Sequence, residues 1–117
     1  MNLNHLNLVV RDVASCSQFF ETYFGFECTE LKGDNIIAIL KGSDGFSLVL
    51  MASKGIEPTY PEAFHIGFML ESVEAVSASF EKLRHAGIAQ GDGPKKIRDS
   101  YGFYFRFENL MIEVGHY

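Results

Sequence analysis

The sequence predicts an α+β fold made of two βαβββ modules. Three observations point there: a repeat at a spacing of sixty residues, a helical stripe after the opening strand of each copy, and short alternating stretches after each helix. Shifting the chain by sixty residues lays His5-Leu6-Asn7-Leu8-Val9-Val10 over His65-Ile66-Gly67-Phe68-Met69-Leu70. The register then holds without a gap: Val13 meets Val73, Ser17 meets Ser77, Phe20 meets Phe80 and Glu21 meets Glu81.

Each copy opens with a strand and continues into a helix. In the first, Asp12 is placed to accept from the free N–H groups of a first helical turn. Cys16, Phe19, Phe20, Tyr23 and Phe24 recur at helical spacing, and Gly25 stops the helix. In the second, Ser72 caps, Val73, Val76, Phe80 and Leu83 form the buried stripe, and Gly87 ends it. Strands are expected near residues 27–31, 35–41 and 46–51, and again near 95–99, 101–107 and 110–114. The Lys32-Gly33-Asp34 and Gly42-Ser43-Asp44-Gly45 turns separate the first set. Residues 1–117 form one domain, with module 1 near 1–53, module 2 near 62–117 and a linker near 54–61.

Composition narrows the function. At 117 residues, 47% hydrophobic and 21% charged, the chain suits one folded domain, and eleven Phe with five Tyr supply its core. A formal net charge of −5 argues against a nucleic-acid partner. The one basic cluster, Lys95-Lys96-Ile97-Arg98, reads as a solvated loop or strand edge. No apolar run spans a membrane and the first residues lack the order of a signal peptide, so a cytoplasmic location and a small-molecule ligand are expected. Cys16 and Cys28 read as small buried hydrophobes.

Side chains alternate along a strand, so parity assigns faces. Leu6, Leu8 and Val10 face the helix, leaving His5, Asn7 and Val9 opposite. Ile66, Phe68 and Leu70 leave His65, Gly67 and Met69 opposite. Leu110, Ile112 and Val114 leave Met111, Glu113 and Gly115, while Phe103, Phe105 and Phe107 leave Gly102, Tyr104 and Arg106. Two imidazoles and a carboxylate on the non-helix face form a ligand set for Mn, Fe, Ni or Zn. The same residues also occur as ordinary half-buried strand positions, and spacing alone does not choose between the two.

The stretches His5-Leu6-Asn7-Leu8-Val9-Val10-Arg11-Asp12-Val13, Phe19-Phe20 with Tyr23-Phe24-Gly25-Phe26, His65-Ile66-Gly67-Phe68, and Tyr101-Gly102 leading to Leu110-Met111-Ile112-Glu113-Val114 resemble the vicinal-oxygen-chelate superfamily. That family holds glyoxalases, fosfomycin-resistance proteins, extradiol dioxygenases and bleomycin-binding proteins. The resemblance covers essentially the whole chain. It implies curved mixed sheets forming a cleft, a homodimer, and one divalent metal ion per site held by His5, His65 and Glu113. It also implies lyase, isomerase, thiol-transferase or dioxygenase chemistry on vicinal oxygens of a small substrate.

Departures from the family pattern are plain in the sequence. Glyoxalases use a further Glu on the fourth strand, where this chain reads Phe46-Ser47-Leu48-Val49-Leu50-Met51. The usual Asp-Pro-Asp-Gly turn before the last strand is replaced by Phe107-Glu108-Asn109. The expected roles are Glu113 and Tyr104 in catalysis, Tyr104 as a donor to a coordinated oxygen or as an acid. Arg106, Asn7 and Ser100 are expected to contact substrate, Arg106 by pairing with an anionic group. His85 is expected to be solvated at a helix end, and His116 is a frayed-end residue or a proton shuttle. The alternative is a metal-free drug-sequestering module of the bleomycin-resistance type.

Overall fold

A computed structural model describes residues 1–117. The chain divides into two compact units, Met1–Thr59 and Tyr60–Tyr117. The first contains β1 (His5–Val10), α1 (Val13–Phe24), β2 (Glu27–Lys32), β3 (Ile37–Lys41) and β4 (Ser47–Ala52). The second contains β5 (Ile66–Met69), α2 (Val73–His85), β6 (Lys95–Ile97), β7 (Ser100–Phe107) and β8 (Leu110–His116). Each module is βαβββ, and the two helices begin sixty residues apart.

Both sheets are open and mixed, with the same wiring. Their orders are β1-β4-β3-β2 and β5-β8-β7-β6, so the first and last strands of each module pair in parallel at one side. The other pairs are antiparallel hairpins. The helix serves as the crossover that a parallel pair requires.

Both helix starts are side-chain caps. Asp12 is extended and its carboxylate accepts from the Ser15 amide at 3.1 Å; Ser72 accepts from the Ala75 amide at 3.0 Å. Gly25 closes α1 in the left-handed conformation, φ 71°, its amide donating to the Phe20 carbonyl. The last turn of α2 carries Lys82, Arg84 and His85, cations that suit a helix C-terminus, and Gly87 follows at φ 75°. His85 is exposed there.

Most of the helix-facing residues are buried as parity requires, while Leu6, Ile66, Phe68, Leu70 and Phe107 are half-buried. Leu8, Val10, Leu40, Leu48 and Leu50 are buried with Val13, Cys16, Phe19 and Phe20 in the core of module 1, where α1 packs on β3 and β4. In module 2, Leu110, Ile112, Val114 and Phe103 pack with Val76, Phe80 and Leu83. The Phe80 and Phe103 rings meet edge-on at 5.2 Å. Val73, expected in the buried stripe, is instead 38% exposed: as the first residue of α2 it lies at the helix end rather than over the sheet.

The expected strand near 95–99 closes at Ile97 because Arg98 and Asp99 form a two-residue turn, Arg98 at φ 54°. The strand expected from residue 35 begins at Ile37. Asn35, at φ 60°, accepts from the Ala14 amide through its side chain and so belongs to the turn over the start of α1. A β-bulge interrupts β2 between Cys28 and Glu30. Both cysteines are free; Cys16 is buried, whereas Cys28 is half-buried with its Sγ 3.4 Å from the Glu30 carbonyl oxygen. No helix is long and apolar enough to cross a membrane.

Candidate metal centre

In module 1 the face away from α1 carries His5, Asn7 and Val9, all exposed. Directly paired residues share a face, so the register places His5 in a row with Ser47 and Lys41, and Asn7 in a row with Val49 and Ile39. Lys41 donates to the Ser47 hydroxyl, which spends that row's cation on its own sheet. The His5 Nδ1 lies 2.7 Å from the Asn4 side-chain oxygen. An oxygen there fixes the N–H at Nδ1 and leaves Nε2 with the lone pair a metal needs.

In module 2 one row reads Gly67–Glu113–Tyr104, with Met111–Arg106 below it and Met69–Gly115–Gly102–Lys95 above. His65 lies one residue before β5 as drawn by its hydrogen bonds, and still reaches Glu113. Its Nδ1 is 3.0 Å from the Ala63 carbonyl oxygen, an acceptor only, so Nδ1 donates and Nε2 is again left with its lone pair. That Nε2 stands 3.4 Å from Glu113 Oε1. The separation exceeds that of a good charged hydrogen bond. Two ligand atoms about 2.0–2.2 Å from one divalent ion, at roughly 90–110° to each other, stand about 2.8–3.6 Å apart. The pair therefore fits a shared cation.

Glu113 is held for this position. Its side chain is only 15% exposed, between a glycine and an aromatic ring in its row. A Cβ at Gly67 would sit 3.4 Å from Glu113 Oε1, so the glycine leaves the carboxylate room to lie over β5 toward His65. The Tyr104 hydroxyl donates to Glu113, and its ring meets the His65 ring edge-on at 5.3 Å. Burial, then the Glu113 charge and hydrogen bond, raise the Tyr104 phenol above its ordinary range, with Arg98 opposing. Tyr104 is consequently a neutral donor across the physiological range.

Arg106 is exposed and borders an open hollow of about 300 Å³ with Ile88, Gln90, Tyr104 and Phe105. Ser100 shares the site face, but its hydroxyl donates to the Ile97 carbonyl at 3.0 Å and closes its own turn. His116 is no frayed end: it lies in β8 on the helix-side parity, with Nδ1 2.8 Å from the Leu70 carbonyl oxygen. Neither module alone gathers three His, Cys, Asp or Glu side chains into a metal site. Module 2 brings together His65, Glu113 and Tyr104, and His5 and Asn7 belong to module 1.

Sequence reasoning passed over Gly67, Lys95 and Arg98. Parity would have misled for Lys95, because Ile97, the apolar residue of β6, pairs with Ser100 and shares the non-helix face with it.

Each module is a βαβββ unit, and module 2 sets the His65 imidazole beside the Glu113 carboxylate on its non-helix face. The family model of the Glyoxalase/Bleomycin resistance protein/Dioxygenase superfamily matches residues 2–110, and the chain belongs to that superfamily. It is similar to the structure of a possible glyoxalase from Bacillus cereus, at 36% identity, TM-score 0.85 and 97% coverage of each chain. It shares its fold with a glyoxylase/bleomycin resistance protein/dioxygenase domain from Frankia sp. EAN1pec, at 20% identity, TM-score 0.83, and 99% and 97% coverage. It also shares it with the fosfomycin resistance protein FosX from Listeria monocytogenes complexed with Mn(II) and sulfate, at 20% identity, TM-score 0.76, and 99% and 92% coverage. No curated protein matches the sequence.

Proposed function

We propose that the chain is a divalent-metal-dependent enzyme acting on a small substrate with adjacent oxygens, with His5, His65 and Glu113 as the ligands. The observation that carries this is the His65 Nε2–Glu113 Oε1 pair at 3.4 Å, with the Nδ1 of both histidines already engaged by oxygen acceptors. Mn, Fe, Ni and Zn all suit two imidazoles and a carboxylate. When bound, the ion supplies Lewis acidity toward the substrate's oxygens.

The chain's own residues supply the rest. Tyr104, which keeps its proton, is a donor at the edge of the ligand set and releases Glu113 when it turns to a substrate oxygen. Arg106 at the hollow supports an anionic substituent, and Asn7 offers an amide on the His5 face. With no carboxylate on β4, a four-ligand glyoxalase set is incomplete, which favours three-ligand chemistry.

The test is elemental analysis after reconstitution with Mn, Fe, Ni and Zn. One retained ion per chain supports the enzyme; no retention of any leaves the sequestering module as the better reading.

A further inference from the structure

The outer edge of β7 is covered over less than half of its length. β6 has three residues against the eight of β7, and it pairs only with Ser100, Tyr101 and Gly102. In module 1 the equivalent edge of β3 is covered by β2 from Ile37 to Lys41. Extending β6 backward would set Gly93 beside Tyr104 and Gly91 beside Arg106. Both glycines instead take left-handed φ, 103° and 96°, and Pro94 has no N–H to give. A Cβ at Gly93 would lie 3.4 Å from the Phe80 ring, so the chain has turned from the sheet edge toward α2. The space it leaves is the open hollow of about 300 Å³ beside Tyr104, Phe105 and Arg106.

Two-residue turns close β7 at both ends, with Ile97 paired to Ser100 and Phe107 to Leu110. Phe103, Phe105 and Phe107 therefore direct N–H and C=O toward β8, while Tyr104 and Arg106 direct theirs outward. No other group of the chain bonds that outward set. An open strand edge of this kind is a template for another strand.

We propose that this edge is the contact between two copies of the chain, β7 pairing antiparallel with β7 across a two-fold axis at Phe105. Tyr104 of each copy then exchanges both backbone bonds with Arg106 of the other, and every outward group is satisfied. Neighbouring registers fail. An axis at Tyr104 calls on Gly102, which Lys95 already holds, and an axis at Arg106 sets the two guanidinium groups opposite each other. At the Phe105 axis each cation faces a phenol ring, a favourable cross-strand pair. Arg106 of the second copy also extends the row Gly67–Glu113–Tyr104, so each site is completed by a side chain from the other copy. The contact stands whether or not the site takes a metal.

The test is backbone amide hydrogen exchange of the full chain by nuclear magnetic resonance, with sedimentation on the same samples. The parent should be a dimer, and its Tyr104 and Arg106 amides should exchange within about tenfold of the Phe103 and Phe105 amides bonded to β8. Arg106→Pro removes an outward N–H and leaves the β8 ladder intact, so it should sediment as a monomer. Lys96→Pro, which removes an outward N–H from β6, should stay dimeric. A parent that is monomeric at millimolar concentration overturns the contact. So does a dimer whose Tyr104 and Arg106 amides exchange like unprotected ones, or an Arg106→Pro protein that dimerises as the parent does. Should Arg106→Pro fail to fold, the exchange of the parent decides alone.

Discussion

At His65 the two ring nitrogens have different partners, Ala63 for Nδ1 and Glu113 for Nε2, and this division makes the site polar in a specific direction. Replacing Glu113 by Gln keeps the shape and removes the charge, so Mn(II) affinity should fall by at least tenfold. Arg106→Ala should leave the metal in place, since a guanidinium does not ligate it. It should weaken an anionic substrate by about 2–3 kcal/mol, roughly thirty- to a hundredfold, measured by paired titration of metal and oxyanion. Tyr104 offers a test by pH. Its raised pKa means that the neutral phenol is the form the fold favours, so this contribution to stability is present below pH 10 and is lost as pH rises above it. Ultraviolet titration of the five tyrosines should show a late component that Tyr104→Phe removes; titration of Tyr104 at or below its ordinary value would contradict the Glu113 contact.

At the scale of elements, local signals were read correctly where the cause is local. Asp12 and Ser72 cap because a short side chain before a helical stripe has free amides to accept from, whatever packs against the helix. Asp12→Ala should cost about 1 kcal/mol in denaturant unfolding. The strand faces of His5, His65, Glu113, Tyr104 and Arg106 followed from a period of two. What stayed hidden depends on the neighbouring strand. Gly102 is glycine because the β8 backbone comes within 2.3 Å of where its Cβ would be, a fact of pairing that no feature of β7 announces. Gly102→Ala should therefore destabilise by about 1–3 kcal/mol through overpacking, although it changes no polar group. The basic cluster is the solvated strand edge and loop that the sequence suggests, with Lys95 and Lys96 exposed on the edge strand β6 and Arg98 exposed in the turn after it. His116 was misjudged because β8 runs on to residue 116 and turns its ring to the Leu70 carbonyl.

For the whole molecule, the repeat predicts two modules, and each supplies part of the proposed ligand set, His5 from one and His65 with Glu113 from the other. We propose that two copies associate as a symmetric homodimer with two equivalent sites, since homo-oligomers most commonly close through a two-fold contact. Sedimentation at micromolar concentration should give twice the mass of the 13.1 kDa chain. The central claim is that His65 and Glu113 hold a divalent ion with His5. Mn(II) titration of the parent protein alongside His5→Ala, His65→Ala and Glu113→Gln, followed by electron paramagnetic resonance, tests it most directly. The account predicts one saturable Mn(II) per chain in the parent and a loss of at least tenfold in each variant. Equal Mn(II) affinity in the parent and all three variants would contradict it.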